Sequence, residues 1–549
     1  MIVLAQASTV AIPEIPWAAL SPELVLFGAG ILVLLLDTAG PKRLSASLGA
    51  FVILVAAAGI AAQQTGEVAL PAMVGLAAVA QLALAFIWRD RPRVLGAILT
   101  GLGFLGGLGV TAWQWTVHGD GTVVQTSSLL GDMVAVDGVA LFTRVTVCLA
   151  GLVTVPLGYA YAEDRRIHRG EYYPLLLFAA TGMTLLGSAN DLIMVFIAIE
   201  VLSLALYVLT GFAKRDLVSQ EAALKYFLLG AFSSAILLYG IAVAYGVTGT
   251  TNLTEVGRAF AIVTAPTAMT TVAMGLLLVG FAFKTAVVPF HMWTPDVYQG
   301  APTPVTGFMA AATKAAAFAG FLRVFVGALG PLQWSWAPVI SVLAVATMLL
   351  GAVLAVVQSD VKRMLGYSAV THAGYVLIGL LSVTREGVSG SLFYLLVYAF
   401  MSLGSFGVLA LLERRGRRAL AIHDLRGLGR RYPVPAGMLS LFLLSLAGLP
   451  PTAGFTAKLA VFRAGVEAGF TGLVIVAVIS SIIAAFFYIR IIVAMFMDDE
   501  PADVAVLPAP NATLGGSAGI AISAAVVVVL GVLPGFVVDL ARQAASLAA

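Results

Sequence analysis

Residues 275–305 read GLLLVGFAFKTAVVPFHMWTPDVYQGAPTPV. Lys284 sits inside an apolar run, and Pro289 follows five residues later in the same run. A proline removes a backbone donor, frees a carbonyl and kinks a helix. Non-helical backbone at membrane depth is tolerated where it lines a cavity or is buried in protein. The stretch therefore predicts a membrane-spanning helix broken beside a charge. Residues 445–462, SLAGLPPTAGFTAKLAVF, repeat the theme, with Lys458 seven residues after Pro451. Paired broken helices in two halves of a chain point to inverted repeats. The order of lysine and proline is reversed between the two.

Composition agrees with this reading. Charged residues make up 10% of the 549, against about 25% in an ordinary soluble domain. Hydrophobic residues make up 60%, and the mean hydropathy is +1.02. The apolar runs are continuous rather than alternating, which excludes a transmembrane β-barrel. The class is an all-α polytopic membrane protein. The one cysteine, Cys148, rules out an internal disulfide, a four-cysteine zinc site or an iron–sulfur cluster. The five histidines, His118, His168, His291, His372 and His423, show no metal-ligand spacing. No glycine-rich phosphate loop lies between a strand and a helix.

Apolar runs of about 20 residues occur at 20–37, 44–63, 68–88, 94–113, 136–161, 172–189, 191–212, 221–247, 266–290, 302–328, 336–357, 362–382, 390–412, 434–468, 470–497 and 513–540. Sixteen spans are expected, the fourteenth broken at Pro450 and Pro451. The first run follows acidic Glu14 and Glu23 rather than a basic segment, so it reads as a retained helix. With the connections numbered alternately, nineteen basic residues fall on one side and four on the other. Lys362, Arg363 and the run Arg414 to Arg431 are in the larger group. The positive-inside rule makes that side cytoplasmic and puts both termini outside.

Five ionisable residues fall in or beside spans: Glu200, Lys225, Lys284, Lys314 and Lys458. A charge at the centre of a spanning helix costs roughly 2.5–3.5 kcal/mol. A chain that only had to sit in a bilayer would not keep them. Glu200 is central in LIMVFIAIEVLSLALYVL (192–209), and Lys225 lies near the start of the next span, in EAALKYFLLGAFSSAILLYG (221–240). Consecutive spans with a short connection pack antiparallel, so Glu200 and Lys225 are expected to meet as a pair. Lys314 is central in FMAAATKAAAFAGFLRVF (308–325), and His372 in YSAVTHAGYVLIGLL (367–381). An amine held away from water releases its proton more readily, and histidine titrates near neutrality unaided. Metal cations prefer oxygen-rich sites, so one central carboxylate among several amines favours a proton pathway.

The segments FKTAVVPFHMWTPDVYQGAPTPVTGF (283–308), EAALKYFLLGAFSSAILLYG, QSDVKRMLGYSAVTHAGY (358–375) and DLRGLGRRYPVPAGMLSLFLLSLAGLPPTAGFTAKLAVF (424–462) closely resemble the antiporter-like subunits of proton-pumping NADH–quinone oxidoreductase, respiratory complex I. The resemblance covers roughly 132–500. PPTAGF followed by Lys458 resembles the N branch of that family; the M branch usually has glutamate at the last site, and the L branch carries a long lateral helix.

The resemblance implies two inverted five-helix repeats with broken helices, at 171–328 and 336–497. They are preceded by N-terminal spans within 1–170 and followed by a loop and last span at 498–549. It implies a proton relay of Glu200, Lys225, Lys284, Lys314, His372 and Lys458. It further implies that NADH, FMN, iron–sulfur clusters and quinone are held by partner subunits and none by this chain. The implied partners are membrane-arm subunits, the neighbouring antiporter-like subunit M and small subunit K among them. The setting is a bacterial cell membrane, and no nucleic acid is involved. Family members usually have fourteen spans; here about 65 additional residues within roughly 64–131 hold two further apolar runs. A multisubunit sodium–proton antiporter and a membrane-bound hydrogenase arm share the same core and are the alternatives.

Overall fold

Long apolar runs can satisfy their backbone groups in a bilayer only as helices or closed barrels, and here they are helices. The computed structural model describes residues 19–38, 92–118, 132–262, 266–413, 421–499 and 513–545. Among the described residues there is no strand, only isolated bridges between loops. The expected spans at 44–63 and 68–88 lie outside them. Every other expected span has a helix, so the count of sixteen stays an expectation.

Three helices lead in: α1 (Ser21–Thr38), α2 (Pro92–His118) and α3 (Gly138–Arg165). α2 packs between α1 and α3. It belongs to the body of the protein, although its run falls among the additional residues. Then come α4 (Tyr172–Ser188), α5 (Leu192–Thr210), α6 (Leu217–Thr248) and the short α7 (Leu253–Ala261). α8 (Ala268–Thr285) and α9 (Trp293–Gly300) are the two halves of one broken helix. α10 (Thr303–Ala328) follows. Its turns at Met309–Thr313 and Leu322–Ala328 are π-helical.

The second series has the same order. α11 (Gln333–Val356), α12 (Val361–Ser382) and α13 (Arg385–Leu412) precede the broken pair α14 (Pro433–Ala447) and α15 (Ala453–Glu467), and α16 (Thr471–Phe496) closes it. With the short α7 left out, the fourth helix of each series is the broken one. α17 (Leu514–Val532) and α18 (Gly535–Ala544) end the described chain. α10, α12 and α13 are almost wholly buried, whereas α6 and α16 present many large apolar side chains outward. Lys314, on α10, and His372, on α12, therefore lie on the helices most enclosed by the rest of the chain.

The sequence places the breaks. α8 ends where Ala286 turns left-handed, at φ 64°. α14 ends at Gly448, φ +86°, a conformation natural to glycine. A side chain at Gly448 would also stand 2.8 Å from Lys458 Cδ. Glycine here gives the helix its end and the lysine its room.

Candidate functional site

A broken helix leaves carbonyls without intrahelical donors. Two of them receive buried lysines. Lys314, on α10, donates from Nζ to Ala369 O of α12 at 2.7 Å and reaches Thr285 O, at the end of α8, at 3.4 Å. Lys458, on α15, donates to Ala447 O at the end of α14 at 2.7 Å and to Ser481 Oγ of α16 at 2.7 Å. The negative end of a helix dipole favours a cation at that place. Lys284, in the last turn of α8, donates to Ser203 Oγ of α5 at 2.7 Å, with Tyr226 OH at 3.5 Å. All three lysines are 5% exposed. Among the described residues none of them contacts a carboxylate. Each amine is held by neutral oxygens, which fit its protonated form without locking it there as an ion pair would.

Glu200 is the carboxylate nearest this amine along α5, one turn before Ser203, which bonds Lys284. The Glu200 Oε1 atom is buried and makes no hydrogen bond.

Lys314 lies 5.8 Å from the centre of the Tyr398 ring, and Tyr398 lies against His372 with ring centres 5.0 Å apart. His372 Nδ1 is 2.6 Å from Tyr394 OH, and Nε2 is 3.2 Å from Tyr488 OH. Tyr488 OH continues to Ser368 Oγ at 2.5 Å. Tyr375 packs edge-on against His372 and carries Lys458 over its other side, 5.1 Å from the ring centre. Tyr375 OH is 3.3 Å from Ser480 Oγ. His372 thus sits between Lys314 and Lys458 in a nest of four tyrosines, each with a hydroxyl able to give and take a proton.

The sequence reading did not single out these tyrosines. It also did not single out Arg144, Arg323 or Glu413. Arg144 is buried with Glu23 at 2.8 Å and Gln114 Oε1 at 2.9 Å. Arg323 is buried with Asp137 at 2.5 Å. All lie near span ends, where a charge in a sequence looks solvated.

Two expectations are corrected. Lys225 does not pair with Glu200. Its Nζ bonds Asp296 of α9 at 2.6 Å and Glu221 at 2.7 Å, and Arg363 also bonds Asp296. α5 and α6 do pack together, but the angle around α6 decides the contact. Tyr226 faces inward to Lys284, so Lys225, one residue earlier, points about 100° away and is 42% exposed. Lys362, counted with the basic connections, is 3% exposed and pairs with buried Glu413 at 3.6 Å.

Residues 189–484 match the model of the family described as NADH:quinone oxidoreductase/Mrp antiporter, TM. A relative from Rhodococcus opacus, an NADH-quinone oxidoreductase subunit N, is 42% identical over 99% of this chain and 98% of its own length. The chain belongs to the NADH-quinone oxidoreductase subunit N family. The additional N-terminal length is therefore shared within that family. A chain of respiratory complex I from Thermus thermophilus, solved with bound aureothin, superposes with a TM-score of 0.70 at 34% identity. It covers 85% of this chain and 98% of its own, so that member has no counterpart for the remainder. A chain of the Mrp complex from Dietzia sp. superposes with a TM-score of 0.73 at 22% identity over 94% of this chain and 97% of its own, which shows a common fold. Among the described residues no group of three His, Cys, Asp or Glu side chains is placed to hold a metal ion.

Proposed function

We propose that this chain is the antiporter-like membrane subunit through which an NADH–quinone oxidoreductase moves protons across the bacterial cell membrane. The observation that carries it is the set of three buried amines on neutral oxygens, two of them joined through His372 and its tyrosines. A proton held at Lys284 is biased by Glu200. Loss of a proton from Lys314 leaves a neutral amine facing carbonyls, ready to take another. The tyrosine hydroxyls and the His372 ring carry a proton between Lys314 and Lys458, each group gaining one proton as it gives one up. Lys225, on the outer face with Asp296 and Arg363, tunes the entry half rather than holding the proton itself. NADH oxidation and quinone reduction take place on partner subunits, with the antiporter-like subunit M and subunit K as neighbours. The basic end of the molecule is the cytoplasmic end, and both termini are outside. The two five-helix series, 171–328 and 336–497, are the functional halves.

The test is proton pumping in membrane vesicles carrying the whole complex. Lys314→Met and Lys284→Met are each expected to remove most NADH-driven pumping while the complex assembles in normal amount. Normal pumping in an assembled variant removes that lysine from the relay. Pumping that follows sodium rather than proton activity would favour the antiporter alternative, for which the shared fold and the joint family model speak.

A further inference from the structure

At the basic end of the molecule four helices converge on a second buried cluster. Glu413, which follows α13, is 3% exposed. Its Oε2 accepts from Tyr161 OH of α3 at 2.9 Å, and its Oε1 faces Lys362 Nζ of α12 at 3.6 Å. Lys362 donates to Ala301 O, between α9 and α10, at 2.8 Å. Asp360, the N-cap of α12, feels both Lys362 and Glu413, and Arg165 lies 5.5 Å over the Tyr161 ring. These are the charged and titratable groups facing Glu413.

Glu413 Oε1 is buried without a hydrogen bond, and Asp360 is approached by Gln299. Thr303 Oγ1, at the start of α10, is fully buried and faces the Tyr161 hydroxyl. Thr313 Oγ1, next to Lys314 on the same helix, is buried without a hydrogen bond. Buried polar atoms of this kind are met by ordered water. α10 rises about 1.5 Å per residue, so Thr303 to Lys314 spans roughly 16 Å. Glu413 Oε1 meets Lys362 only at 3.6 Å, beyond hydrogen-bond length, so that oxygen is engaged by charge alone. Burial pushes the Asp360 carboxyl up, so that group keeps a proton at higher pH than usual.

We propose that Glu413 is the proton-accepting group at the cytoplasmic mouth of the relay, poised by Lys362 and Tyr161 and leading along α10 to Lys314. A hydronium ion gives its proton to Glu413 and leaves as water. The acid then releases that proton through water to Lys314 in its amine form, and Glu413 returns to its pair with Lys362. This rests on the relay proposed above.

Inverted vesicles of the whole complex put this face in the medium. Glu413→Gln is expected to slow pumping by roughly a hundredfold in alkaline medium and to recover as the medium is acidified. Glu413→Asp is expected to restore most of the rate. Thr303→Val, which keeps shape and removes one hydroxyl, is expected to shift the pH profile the same way by less. An assembled Glu413→Gln complex with the parental rate and pH profile overturns the assignment. Should Glu413→Gln fail to assemble, Thr303→Val decides: a parental pH profile overturns it and a shifted one supports it. Lys314→Met run alongside separates the two readings. If it is inactive at every pH while Glu413→Gln is normal, only the entry site is wrong; if it pumps normally, the relay itself is wrong.

Discussion

Glu200 and Lys225 show how a single residue's angle on a helix outranks its neighbourhood in sequence. The carboxylate stands one turn from Ser203, the partner of Lys284, and the exposed ammonium is engaged by Asp296 and Glu221. Their substitutions should therefore separate. Glu200→Gln is expected to lower pumping several-fold and Glu200→Asp to retain most of it, because charge matters there more than size. Lys225→Met is expected to leave a milder defect, since an exposed ion pair contributes only up to about 1 kcal/mol. Pumping measured in vesicles from the parent and the three variants checks this. Identical losses in Glu200→Gln and Lys225→Met would reinstate a direct pair.

Among the elements, the broken helices and the tyrosine nest do different work. The breaks supply carbonyls that hold Lys314 and Lys458 in place; the nest links the two amines through His372. Tyr394 is the tightest contact of His372, and Tyr488 links the ring on to Ser368. Tyr394→Phe deletes one hydroxyl from a fully buried ring. It should cost roughly 1–3 kcal/mol of local stability by leaving a partner unsatisfied. It should reduce pumping more than it reduces assembly, with complex content read on a native gel and proton uptake on the same vesicles. The breaks were legible in the sequence because an unbroken apolar helix has no use for proline beside lysine. The nest was not, because a tyrosine inside an apolar span reads equally well as packing.

On the scale of the whole molecule, the buried charges form three tiers. Glu413–Lys362 lies at the basic end, and Arg323–Asp137 and Arg144–Glu23 lie near the other; the unpaired amines occupy the middle. Removing one partner of a buried pair leaves a bare charge and costs roughly 3–5 kcal/mol. Arg323→Met is expected to lower the amount and thermal stability of the assembled complex, and Arg323→Met with Asp137→Asn to recover much of it. A thermal melt of both purified complexes reads the difference. The sequence showed the class, the breaks and the middle tier, because isolated charges in long apolar runs stand out. It hid the outer tiers, because within a turn or two of a span end the same residues pass for solvated or orientation-setting groups. Lys362 is such a residue.

The wide turn of α10 at Met309–Thr313 has a further consequence. A π-helical turn holds one residue more than an α-helical one, and such turns are favoured at functional sites. Thr313 closes that turn and Lys314 is the first residue after it. Delete one alanine from Ala310–Ala312 and the turn can shrink to an ordinary one with its hydrogen bonds intact. The wide turn and the ordinary one sweep nearly the same angle, so Lys314 would keep its facing toward Thr285 and Ala369. The same deletion in the regular turns that follow, Ala315 to Gly320, would swing everything beyond it by about 100°, Arg323 with it, away from Asp137. The wide turn is thus slack built into an otherwise rigid helix. One residue can leave it unnoticed, where a residue lost a turn later would not.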